Sequence, residues 1–121
     1  MSMKKYILII YYVLFSNIIF AQVVYNMQNL TVNECEGILK DSESNALNPS
    51  WYSHDENFNF TICPPNALQI TITFNVFSTE PINDYVTIYD GPDNTYPVLG
   101  VYSGTNLPPQ IVSSGCITIG F

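Results

Sequence analysis

Apolar and polar positions alternate through most of the chain. Leu68, Ile70, Ile72, Phe74 and Val76 fall on one face of an extended segment, and Gln69, Thr71, Thr73 and Asn75 fall on the other, a period of two held over nine residues. Shorter alternations occur at Phe58, Phe60 and Ile62, at Val86 and Ile88, and at Ile117, Ile119 and Phe121, all rich in aromatic or β-branched residues. No window combines helical spacing with a helix start and stop signal. Turn clusters separate the alternating runs, at Asn48-Pro49-Ser50, Pro64-Pro65-Asn66, Asp90-Gly91-Pro92, Ser103-Gly104-Thr105 and Ser113-Ser114-Gly115. Gly91, Gly104 and Gly115 can take the positive φ values that such turns require. Many short strands with one apolar face predict an all-β fold, an antiparallel β-sandwich whose two sheets bury those faces together.

The amino terminus follows a different pattern. Met1 to Lys5 is short and basic, Tyr6 to Phe15 is continuously apolar, and Ile18 to Phe20 leads into Ala21-Gln22, where a small residue suits a cleavage site. Residues 1–21 therefore read as a secretory signal peptide. A membrane anchor is the competing reading, but Ser16 and Asn17 interrupt the run and it is short of the roughly 20 residues that a span needs. On this reading the membrane is met only during export. Residues 22–34 form a lead-in and the remainder forms one domain, with no internal repeat, low-complexity tract or linker.

Charge narrows the partners. The 121 residues hold ten acidic and three basic side chains, for a formal charge of −7. There is no arginine, and Lys4 and Lys5 leave with the signal peptide, so the mature chain sets ten acids against Lys40 alone, a net −9. No basic face can neutralise phosphates, and nucleic-acid binding is excluded. The three cysteines, Cys35, Cys63 and Cys116, sit in a chain destined for an oxidising compartment, where disulfides persist and an odd count leaves one thiol over.

Read in order, the residues resemble the CUB domain family. The resemblance is carried by Cys35-Glu36-Gly37, Trp51-Tyr52-Ser53, Phe60-Thr61-Ile62-Cys63-Pro64, the run Ile70 to Phe74 with Phe77 and Glu80, the run Asp84 to Gly91, the run Gly100 to Gly104, and the run Ser113 to Phe121. It covers residues 35–121 and is most similar to CUB modules at the front of large bacterial surface or secreted proteins. It implies a jelly-roll-like sandwich, in agreement with the alternation. The stretch Cys116 to Phe121 is a strand pattern ending on an inward-type aromatic. Family members continue with an acidic step and a further strand, so the resemblance implies a fragment whose last strands are missing.

The resemblance also implies a site. Cys35 and Cys63 match the family's first disulfide pair, which leaves Cys116 unpaired or bonded to a cysteine in a later strand. Glu80 and Asp84 match two carboxylates that bind Ca²⁺ in a subset of the family, Tyr52 matches a supporting tyrosine, and Asp90 lies near them in sequence. Ca²⁺ takes about six to eight oxygen ligands, and loops at a strand end can gather carboxylates that otherwise repel. The third family carboxylate falls past Phe121, so weak or absent calcium binding is expected of these residues; ordinary solvated loop acids are the alternative reading. In calcium-binding relatives the same acids hold a partner's lysine or arginine.

No catalytic residues are evident. His54-Asp55-Glu56 lacks a second histidine or a nearby cysteine and reads as a polar loop; Ser42, Ser44, Ser50 and Ser53 have no accompanying base. Asn29-Leu30-Thr31 and Asn59-Phe60-Thr61 fit the glycosylation pattern, which matters only in a eukaryotic secretory pathway. Tyr52, Tyr85, Tyr89, Tyr96 and Tyr102 serve sheet packing, and exposed ones suit protein or glycan contact. The expected function is non-catalytic recognition or adhesion by a secreted or surface protein, through a basic protein ligand or a glycan, with Ca²⁺ as an assisting ion. The alternative is an accessory amino-terminal domain of a secreted peptidase or other hydrolase.

Overall fold

A computed structural model describes residues 22–42, 52 and 55–121. The signal-peptide reading of residues 1–21 and the reading of His54 lie outside them. The described residues form nine strands and no helix: β1 (Val24–Asn26), β2 (Leu30–Val32), β3 (Ile38–Lys40), β4 (Asn59–Ile62), β5 (Ile70–Ile72), β6 (Val86–Tyr89), β7 (Val98–Tyr102), β8 (Ile111–Ser113) and β9 (Ile117–Gly120). One layer is a five-stranded sheet in the order β2-β4-β9-β6-β7; the other holds two ladders, β1-β3 and β5-β8. The fold is an all-β sandwich. Its core joins Phe60, Ile62, Val86, Ile88, Ile117 and Ile119 of the large sheet to Met27, Leu39, Ile70, Ile72, Phe74 and Ile111 opposite. Tyr25 meets Phe60 across the layers with ring centroids 5.5 Å apart, and Phe74 meets Tyr102 at 6.2 Å.

Two features depart from the sequence reading. The sandwich is mixed rather than wholly antiparallel, because β1 pairs with β3 and β2 with β4 in parallel. The chain alternates between layers over its first four strands, so each partner is reached after two reversals and runs the same way. The lead-in of residues 22–34 accordingly contains two strands, β1 and β2. The long alternation narrows to β5, with Phe74 still buried; Leu68 is 91% exposed and Val76 39%.

The cysteine pairing also differs. Cys63 is bonded to Cys116, and Cys35 is an exposed free thiol. The register explains this. β4 and β9 run antiparallel with Ile62 opposite Ile117, so the next pair along is Cys63 and Cys116, with Cα atoms 4.3 Å apart. The bond fastens the end of two central strands, whereas β2 leaves the sheet at Val32 and carries Cys35 into a surface loop.

The turn after β6 covers the outer face of the large sheet. Thr61 and Thr118 are buried there, their hydroxyl oxygens 2.8 Å apart, and Thr118 donates to the Gly91 carbonyl at 2.8 Å. Only Gly104 of the three expected turn glycines has a positive φ, 86°. Gly91 is needed for a close approach instead: a Cβ there would overlap the ring of Tyr96.

Candidate functional site

The site forms where the chain enters β6. Thr79, 1% exposed, anchors it. Its amide donates to the Gly104 carbonyl at 2.9 Å, its hydroxyl accepts from the Gly104 amide at 2.8 Å, and the same hydroxyl donates to the Asp84 carbonyl at 3.1 Å. Between these fixed ends, residues 80–84 close a turn through the Asp84 amide and the Glu80 carbonyl at 3.1 Å. Ser103 braces the turn, its hydroxyl accepting from the Ile82 amide at 3.2 Å and donating to the Glu80 carbonyl at 3.3 Å.

Tyr52 reaches this turn from far away in sequence. Its hydroxyl donates to Asp84 Oδ2 and accepts from the Glu80 amide at 3.1 Å. Its ring stands edge-on to Phe121, with centroids 4.6 Å apart and planes at 83°. Burial and then the bond to the Asp84 carboxylate push the Tyr52 hydroxyl well above the ordinary tyrosine range, with the Glu80 amide acting in the opposite direction. Beside this pair opens a cleft of about 380 Å³ whose walls include Tyr52, Asp84, Tyr85 and Phe121, with the acids Asp55 and Glu56. Glu56 accepts a hydrogen bond from the Ser42 hydroxyl at 2.6 Å.

The predicted residues thus fall into two groups. Tyr52, Glu80 and Asp84 are brought together, with Asp84 in the cleft wall and Glu80 at the start of the same turn, where Oε1 accepts from Nδ2 of Asn83, a wall residue, at 3.0 Å. Asp90 is not part of the group. It follows β6 whereas Asp84 precedes it, and four extended residues separate the two by more than about 13 Å; its carboxylate accepts instead from the amide and hydroxyl of Ser114, at 2.9 and 3.1 Å. Among the described residues no three His, Cys, Asp or Glu side chains are placed to hold one metal ion. Hard oxygen donors suit Ca²⁺, yet two carboxylates, each already accepting a hydrogen bond, supply only part of its shell. Sequence reasoning missed Thr79 and Ser103, whose hydroxyls bond backbone groups and leave no motif, and the contribution of Asp55, Tyr85 and Phe121 to the cleft.

Comparison with known proteins agrees with this architecture. The family model described as CUB domain matches residues 35–121. The chain belongs to the CUB family. This CUB domain is 37% identical over 98 residues to Cubilin of Rattus norvegicus and 35% over 94 residues to Cubilin of Canis lupus familiaris, covering 73% and 67% of the chain but 3% of either relative. It is 33% identical over 98 residues to Embryonic protein UVS.2 of Xenopus laevis, covering 74% of the chain and 19% of that protein. The chain therefore spans a small part of the relatives it matches.

Proposed function

We propose that this CUB domain is a non-catalytic recognition module of an exported protein, and that it takes a cationic group of an extracellular partner at the cleft beside Asp84. The observation that carries the reading is the pairing of carboxylates with aromatic walls. Asp84, Asp55 and Glu56 supply negative charge, and Tyr52, Tyr85 and Phe121 supply faces and edges on which the stem of a lysine or arginine can lie. The formal charge of −7 adds attraction for a basic partner at long range. A glycan is the other ligand class, supported by the exposure of Tyr85 and Tyr96.

Calcium has an assisting role in this proposal. Glu80 and Asp84 would hold the ion, which would fix the turn and neutralise part of the acidic charge. Titration calorimetry with calcium chloride, and separately with a lysine-bearing peptide, tests both parts. Peptide binding that weakens on Asp84→Asn supports the cleft, and absence of peptide heat overturns it. These residues alone are expected to give weak calcium heat or none, so the ion is removed from the proposal if a chain extended past Phe121 also gives none at millimolar calcium.

A further inference from the structure

Three described residues other than glycine have positive φ: Asp55 at 59°, Asn66 at 61° and Ile82 at 74°. Asp and Asn enter this region readily because their short polar side chains bond locally. Isoleucine does not, since its branched Cβ crowds the backbone there. Residues in such conformations persist where surrounding bonds over-determine them, and here the Asp84 amide to Glu80 carbonyl bond and the Ser103 brace do so.

The fold gains little from isoleucine at this point. Its side chain is 80% exposed, so it adds almost nothing to the core, and glycine or asparagine would make the same turn with less strain. It stands one residue before Asn83 and two before Asp84, both in the wall of the cleft, with Tyr85, 46% exposed, just beyond. Exposure alone does not mark Ile82, since Leu68 and Leu107 are exposed as well, but an apolar side chain held in solvent at a conformational cost, next to a charged cleft, has the form of a contact residue.

We propose that Ile82 is the apolar half of the recognition surface, packing an aliphatic side chain of the partner while a neighbouring basic residue of the same partner enters the Asp84 cleft. This rests on the cation reading of the cleft. Cα atoms two residues apart are within about 7 Å, so the partner segment carries its basic and aliphatic residues one or two positions apart.

Two acetylated hexapeptides that differ only in a leucine or a serine following a lysine, titrated into ¹⁵N-labelled protein, test it. The leucine peptide is expected to bind about fivefold tighter, the worth of roughly half a leucine side chain leaving water. Ile82→Asn is expected to abolish that preference while raising the melting temperature. Equal binding of the two peptides by the unaltered protein overturns the inference and leaves the cleft reading standing. Binding of neither overturns both. A raised melting temperature with the preference intact also overturns it, because the isoleucine would then be a strained residue with no part in contact.

Discussion

Tyr52 and Asp84, 32 positions apart in sequence, share a hydrogen bond from phenol to carboxylate, and the same phenol oxygen receives the Glu80 amide. One side chain thereby sets the positions of both acids.

Tyr52→Phe keeps the ring against Phe121 and removes both hydrogen bonds. The expected cost is about 1–3 kcal/mol in urea unfolding, since Asp84 and the Glu80 amide both lose a partner. The pH dependence has a definite sign. The folded state raises the Tyr52 value above its ordinary 10, so its support is complete below about pH 10 and is lost as pH rises toward the folded value. The stability gap between the two proteins should therefore narrow above pH 10; a gap unchanged to pH 11 would refute the assignment.

Peptide mapping under non-reducing conditions should yield one cross-linked species joining Cys63 to Cys116, with alkylation confined to Cys35. The loop closed by this bond spans 53 residues, and in the chain-entropy account its loss costs about 4 kcal/mol. The double variant Cys63→Ala/Cys116→Ala should show that loss, and Cys35→Ser should leave the midpoint nearly unchanged. Recovery of a peptide joining Cys35 to Cys63 would contradict the bond between Cys63 and Cys116.

Gly91→Ala places a methyl group against the Tyr96 ring. Tyr96 is 44% exposed and can swing away only by giving up its packing, so a loss of about 1–3 kcal/mol is expected. Adding Tyr96→Ala should recover much of it. Additive losses in this double-mutant cycle would show that the clash is not the cause.

Thr79→Val preserves shape and deletes the hydroxyl that serves Gly104 and Asp84. One buried and one half-buried backbone group lose their partner, at an expected cost of about 2 kcal/mol. Thr79→Ser should retain most of the stability. Amide exchange of Gly104, measured by NMR, should accelerate in the valine variant alone.

Alternation of apolar with polar side chains is what made β4, β6 and β9 legible in the sequence: Phe60, Ile62, Val86, Ile88, Ile117 and Ile119 are all nearly inaccessible, and Thr61, Thr87 and Thr118 stand between them on the other face, although Thr61 and Thr118 are buried there too. β7 gave no such signal. It is an edge strand with a register shift against β6, and Val98, Leu99 and Val101 are all exposed. The acids at 80 and 84 were found through family resemblance, but the residues that hold them were not. Thr79 and Ser103 act on backbone atoms, and Phe121 acts through a ring contact that depends on tertiary structure. The cysteine pairing was hidden for a similar reason, because it follows from strand register and not from spacing along the chain.

The placement of β9 has a consequence for how the protein is made. It comes last among the nine strands in chain order, yet it lies between β4 and β6 in the middle of the large sheet. Neither neighbour can complete its pairing until residues 117–120 have left the ribosome, so this sheet cannot assemble stepwise during synthesis. The joining of such distant segments also makes acquisition of the native state slow, on the millisecond-to-second scale typical of non-local β topologies. Until that step is complete, the apolar faces of β4 and β6 lack the strand that belongs between them, which makes the newly made chain a natural client for chaperones.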